Sequence, residues 1–245
     1  VENLLDQSSL FLQQLVNGIT LGGVYALIAV GYTMVYGVIQ LINFAHGEIY
    51  MLGAFLAYTM VTLLGLPFLA AFFITIFVCA FFGVILDFIA YRPLRKAPRL
   101  AALITAIGMS IFLQNLALMI WGSQIKSYPR DLLPAFFLKP ALSLGEVSMT
   151  WIQIYILSIT VLFMVILHMI IHRTKIGTAM RAVSQDKTTA ALMGIGVNRV
   201  ISFTFAIGSA MGGMAGVLVG LYYNAIFPTM GYIAGIKAFT AAVLG

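Results

Sequence analysis

Six stretches of this sequence, near 10–38, 44–64, 68–90, 101–121, 151–171 and 200–223, run almost without charge, and a seventh begins at 232. A bilayer core about 30 Å thick is crossed by roughly 20 apolar residues in a helix, so these runs dictate an integral membrane protein. With 62% hydrophobic and 8% charged residues, little chain is left for a soluble domain, and a soluble enzyme, a disordered chain and a repeat solenoid are excluded. The runs are too long and continuous for the alternating strands of a transmembrane barrel, which leaves helices as the way to satisfy the backbone in lipid. The expected fold is all-α: a polytopic transmembrane bundle of about six complete spans plus the start of a seventh, in one domain over 1–245. The last stretch has only 14 residues to Gly245, roughly 21 Å of helix. The chain therefore reads as truncated at its C-terminus, and Val1 as an alternative start or a trimmed N-terminus.

Charge sets the orientation. Arg92, Arg95, Lys96 and Arg99 crowd one loop and Arg173, Lys175, Arg181, Lys187 and Arg199 another, nine basic residues against Lys126, Arg130 and Lys139 on the other side. Loops 91–99 and 172–199 are expected in the cytoplasm, and the N-terminus, which carries Glu2 and Asp6, outside. The net charge of +6 is explained by this topology, so no nucleic-acid partner is expected. The N-terminus lacks the basic front of a cleavable signal peptide, so the first span reads as retained. Gly18, Gly22, Gly23, Gly31 and Gly37 along it allow a tilt, a kink or an early end. Pro129, Pro134 and Pro140 argue for an external loop at 122–150, with Phe136 and Phe137 resting on the membrane or a partner. The single cysteine, Cys79, lies in an apolar run and reads as a packing residue.

Polar residues inside apolar runs are the candidates for function. Asn43, His46 and Glu48 open the second span. Asn43 as N-cap and Glu48 at the positive end of the helix dipole make a structural reading. A buried carboxylate is costly in lipid, which makes a polar pathway or gate the functional one. Gln13, Asn17 and Thr20 share a face of the first span, and Ser110 and Gln114 a face of the fourth. These read either as interhelical hydrogen bonding or as lining of a translocation path. Gly208, Gly212, Gly216 and Gly220 form a stripe for close helix approach, within the chain or to a second subunit.

The loop at 172–199 is longer than a connection between neighbouring spans needs. Helix formers from Thr178 to Met193, ended by Gly194 or Gly196, predict a short cytoplasmic helix there. Its extra length favours docking to a cytoplasmic partner over a merely solvated basic surface. Asp87 is expected to face the interface or pair with a basic group. His168 and His172 are four apart with no Cys or carboxylate nearby, so no metal site is expected. No phosphate-binding G-x-x-x-x-G-K-[ST] loop, G-x-S-x-G elbow or H-E-x-x-H pair occurs. The chain reads as no enzyme, with no cofactor of its own.

Several motifs occur in order: Asn17-Gly18 with Gly22-Gly23 and Tyr25-Ala26-Leu27; Ile42-Asn43-Phe44-Ala45-His46-Gly47-Glu48; Tyr91-Arg92-Pro93-Leu94-Arg95; Ile107-Gly108 with Gln114-Asn115; and Arg181-Ala182 through Ala190-Ala191-Leu192-Met193-Gly194-Ile195. In this the chain resembles the permease subunits of branched-chain amino-acid ABC importers, over most of 10–121 and 172–223. The resemblance implies half of a membrane channel in a bacterial-type inner membrane, paired with a second homologous permease. It implies substrate delivered by an extracytoplasmic binding protein, and two cytoplasmic ATPases that hold the ATP and Mg. Loop 172–199 then looks like the coupling helix, with Arg181, Asp186, Thr188, Ala190 and Gly194 as its contact residues. Such permeases often carry Glu-Ala-Ala before the Gly, whereas here Thr188-Thr189-Ala190 stands before Gly194 and the Glu is absent. Two alternatives accompany this expectation: an ABC permease for urea or short amides, and a secondary transporter moving protons through His46, Glu48 and Asp87.

Overall fold

A computed structural model of the chain describes residues 2–41, 43–95, 97–144 and 147–244. Ile42 of the Asn43–Glu48 motif and Lys96 of the first basic loop lie outside the described residues, as do Val1 and Gly245. In chain order the helices are α1 (Glu2–Ile39), α2 (His46–Thr62), α3 (Phe68–Leu86), α4 (Arg99–Trp121), α5 (Trp151–Arg173), α6 (Lys175–Gln185), α7 (Lys187–Leu192), α8 (Val197–Tyr223) and α9 (Met230–Leu244). A short antiparallel hairpin, β1 (Pro140–Leu144) with β2 (Val147–Thr150), lies between α4 and α5. The chain is an all-α polytopic membrane bundle.

Local chemistry sets several of the boundaries. Pro67 and Pro98 stand at the N-caps of α3 and α4 in extended conformation, where the missing N–H costs no intrahelical bond. At the start of α5, Thr150 and Gln153 form a capping box that satisfies two otherwise orphaned N–H groups. The last turn of α3 runs on into a π-helical turn, Asp87–Tyr91, whose wider winding carries Asp87 and Tyr91 into the interior.

The centre of the bundle is α8. In its most apolar window 83% of residues are buried, against 17% in α4 and in α5, which are peripheral. It packs against α1, α2 and α3, and α9 packs on α1 and α2. Glycines make these contacts close. A Cβ on Gly216 would stand 1.8 Å from the Tyr50 carbonyl oxygen, and one on Gly53 2.2 Å from that of Gly213. The expected glycine stripe is spent within the chain: Gly208 meets α1 at Gly31, Gly212 and Gly216 meet α2, and Gly220 meets Ile226 and Tyr128.

The structure refines the sequence expectations in two places and corrects them in a third. Among the described residues, five helices are long and apolar enough to cross a bilayer, α1, α3 with its π turn, α4, α5 and α8. The expected second span is the 17-residue α2, and its start lies inside the bundle. Gln40 leaves α1 with φ 60°, a left-handed turn, and the chain doubles back. His46 then lies beside Gly31, two turns before the end of α1, roughly 12 Å inward along the helix. Second, the 122–150 connection contains the hairpin and two 3-10 turns, Arg130–Leu132 and Ala135–Leu138. Third, Phe137 is buried against Phe68 and Tyr155 and meets neither lipid nor partner, while Phe136 is half exposed.

Candidate functional site

The doubled-back segment delivers Asn43, His46 and Glu48 to the interior, all three at most 1% exposed. Asn43 is no helix cap: Ala45 holds the N-cap position of α2 with no side-chain bond. The Asn43 side chain is drawn away instead by Tyr91, whose hydroxyl donates to Asn43 Oδ1 at 2.8 Å. The His46 ring fits between α1 and α8 because glycines leave the space. A Cβ on Gly31 would come 2.9 Å from Nε2, and one on Gly212 3.4 Å from the ring. Tyr32 closes the slot edge-on, with ring centroids 5.3 Å apart.

Glu48 lies where three helices meet. Ser110 Oγ of α4 donates to its Oε1 at 3.0 Å, and a Cβ on Gly231, in the first turn of α9, would come 2.6 Å from Oε2. The carboxylate thus stands in the first turn of α2 and against the first turn of α9, where the partial positive charge of both helix ends is concentrated. Among the described residues, Tyr32 Oη, Asn43 Nδ2, both His46 nitrogens and Glu48 Oε2 are buried without a hydrogen-bond partner. Each such group costs about 1–3 kcal/mol, so the concentration of them marks a site where packing stability has been given up.

Ser110 and Gln114 also line a cavity of about 360 Å³ between α4 and α9. Phe44, Ile107, Ile111 and Ile236 supply its apolar walls and Tyr232 its remaining polar group. Asn17 belongs elsewhere. It is 14 residues before Gly31 on α1, roughly 21 Å along the helix. There its Oδ1 accepts from Gln153 of α5 at 2.8 Å, and Gln13 and Tyr222 lie at 3.4 and 3.5 Å. That cluster ties α1 to α5 and α8.

At the opposite end of the bundle α6 and α7 form a projection between α5 and α8. Thr174 caps α6 by accepting from Gly177 N at 3.1 Å, and Asp186 caps α7 by accepting from Thr188 N at 2.8 Å and from the Thr189 hydroxyl. The Thr189 hydroxyl, then the Thr189 and Thr188 N–H groups, hold the Asp186 carboxyl below its ordinary value. Arg181 is tied back to the end of α5 through the Ile171 carbonyl, Ala190 is buried, and Gly194 takes φ 83° to end the motif. The exposed apolar tip is Leu192 and Met193, 83% and 80% exposed. Both stand in the Ala190–Ile195 sequence motif, and a Leu-Met pair before a terminating glycine on a polar helix is the legible signal of such a tip.

Lys187 joins this projection to the membrane helices. Its Nζ donates to the Ile39 carbonyl, the last of α1, at 2.7 Å. Burial, and Arg95 nearby, lower its pKa from the ordinary lysine value. Arg95 itself grips buried Asp87 at 2.5 and 2.8 Å and bonds Asn198, while Ser202 donates to Asp87 at 2.6 Å. His168 and His172 stack at 4.2 Å on α5.

Residues 14–245 match the family described as branched-chain amino acid transport system, permease component. The high-affinity branched-chain amino acid transport system permease protein BraD of Pseudomonas aeruginosa is 49% identical over 243 residues, 96% of this chain and 79% of BraD. The corresponding LivH of Escherichia coli K12 is 45% identical over 248 residues, 98% of this chain and 80% of LivH. A probable branched-chain amino acid transport permease of Methanocaldococcus jannaschii is 26% identical, over 89% of this chain and 69% of its own length. No solved structure matches the chain. Taken with a helical bundle that carries a buried polar centre, these relationships establish that the chain belongs to the permease family of branched-chain amino acid transport systems.

Proposed function

We propose that this permease forms one half of the membrane path of an ATP-driven importer for branched-chain or related apolar amino acids. A second homologous permease completes the path. An extracytoplasmic binding protein delivers substrate to the face that carries the 122–150 loop. Two cytoplasmic ATPase subunits, holding ATP and Mg, engage α6 and α7, so hydrolysis occurs on those chains and not on this one. In this reading the N-terminus is outside and loops 91–99 and 172–199 are in the cytoplasm of a cell with a bacterial-type inner membrane.

The observation that carries the reading is the anchored projection of α6 and α7. It presents Leu192, Met193 and Thr188 outward while Lys187 grips the last carbonyl of α1. A displacement of α7 by the ATPases pulls on the end of α1. That end leads through the doubled-back segment to Asn43, His46 and Glu48. Alternating access follows as a rigid shift of packed helices about this junction. The walls of Phe44, Ile107, Ile111 and Ile236 support an aliphatic side chain over urea or a short amide.

The test is a pull-down of the tagged chain in gentle detergent with mass spectrometry of stoichiometric partners, repeated after deletion of Asp186–Gly196. Two ATPases and a second permease are expected, with the ATPases lost on deletion. Recovery of the chain alone, with uptake abolished by an uncoupler and untouched by ATP depletion, would replace this reading by a proton-coupled transporter acting through Glu48.

A further inference from the structure

The cavity between α4 and α9 is apolar except at Ser110, Gln114 and Tyr232, and its volume falls within the range of small-molecule pockets, about 300–1,000 Å³. Ser110 decides what kind of head group suits it. A serine has one hydroxyl proton and two lone pairs, and here the proton is given to Glu48 Oε1 at 3.0 Å. Toward the cavity Ser110 therefore offers lone pairs only. Behind it stands a carboxylate that is 1% exposed and whose other oxygen has no partner. An anionic head finds no hydroxyl proton from Ser110 at this wall. A positively charged donor meets a hydroxyl oxygen whose one proton is already turned away to Glu48. Gln114, one turn further along α4, adds an amide beside it. Phe44, Ile107, Ile111 and Ile236 receive the hydrocarbon.

We propose that this cavity is the intramembrane substrate site, that Ser110 Oγ receives the α-ammonium group of the amino acid, and that Glu48 is the positioning residue that holds the serine proton away from the substrate. The proposal rests on the reading of the chain as an amino-acid permease and adds to it the group recognised and the atom that recognises it.

The test uses the purified complex in nanodiscs without its binding protein, and measures equilibrium binding of labelled L-leucine. Two competitors separate the ends of the molecule: 3-methylbutylamine keeps the ammonium group and the branched chain, and 4-methylpentanoate keeps the carboxylate and the branched chain. The amine is expected to displace leucine at least tenfold better than the acid, since the loss of a charged hydrogen bond weakens binding by about ten- to a hundredfold. Ser110→Ala should weaken leucine and the amine by that factor and abolish the preference for amine over acid. Ser110→Thr, which keeps the hydroxyl, should restore the preference. Glu48→Gln should reduce it, and if that variant does not assemble the serine pair carries the test alone. Equal displacement by amine and acid, or unchanged binding in Ser110→Ala, overturns the proposal. So does a complex that imports leucine with its binding protein yet binds none without it. A wild-type complex that imports no branched-chain amino acid under ATP, with the binding protein present, overturns the transport reading and this site with it.

Discussion

Glycine positions in this bundle divide by what lies opposite them, and the division gives a direct prediction. Gly216→Ala puts a methyl group 1.8 Å from the Tyr50 carbonyl, so α2 and α8 must separate, at a cost of about 1–3 kcal/mol or more. Gly37 is exposed on α1 with nothing within 4 Å, and Gly37→Ala should gain roughly 0.5–1 kcal/mol by stiffening the helix. A thiol-reactive fluorogenic dye reads both, because the one cysteine, Cys79, is buried against Gly213 and becomes available only on unfolding. Equal melting temperatures for the two variants would contradict the close α2 to α8 contact. At this scale the sequence was partly legible. A carboxylate and a histidine in an apolar run are conspicuous because lipid penalises them. Their partners are not, since Ser110 lies 62 positions from Glu48 and Tyr91 lies 48 from Asn43. No spacing rule joins such pairs. The same holds for Asn17, whose partner Gln153 lies 136 positions away on α5, and the bond between them is the interhelical kind that one reading of the first-span face expects.

The elements that leave the bundle were foreseen by length and charge, and their anchors were not. Lys187 looked like one more basic residue of a cytoplasmic loop, yet it seals the end of α1. Lys187→Met should leave the complex assembled and its ATPase turning over, while amino acid taken up per ATP falls severalfold. Uptake and hydrolysis measured on the same proteoliposomes give that ratio, and an unchanged ratio would remove Lys187 from the coupling path. Asp186 gives a second prediction. Its carboxyl lies below the ordinary value in the folded chain, so its capping contribution is complete at neutral pH and is lost as pH falls through that lowered value. ATPase recovery by the complex should therefore not vary with pH near neutrality on account of this cap. Asp186→Asn, which keeps the acceptor, should recover more ATPase than Asp186→Ala. The β1–β2 hairpin was within reach of sequence reasoning: Leu142-Ser-Leu and Val147-Ser-Met flank Gly145-Glu146, a hairpin spacing. Pro129, Pro134 and Pro140 give the segment the stronger signature of a loop. The reversal at Gln40 was out of reach, because only the slot between Gly31 and Gly212 specifies where His46 must go.

For the whole molecule, orientation is the property that joins the two ends of the proposed transport path. In a Cys79→Ala background, Thr188→Cys should react with a membrane-impermeant maleimide only after right-side-out vesicles are opened. Ser123→Cys, on the α4 to β1 connection and exposed, should react in sealed vesicles. The reverse pattern would invert the path from binding protein to ATPase. The sequence made the bundle legible as a whole because the bilayer leaves so few options. It left open which helix is central, since α8 is among the less apolar spans and earns its position through glycine. That centrality carries a consequence for synthesis. The slot that shelters His46 and the first turn of α2 has α8 as one wall, and the ribosome makes α3 through α7 before α8 exists. Through that interval a histidine and a carboxylate wait in or beside the bilayer without their housing. Nascent chains halted before Val197 should therefore stay bound to the insertion machinery, and chains halted after Tyr223 should be released from it.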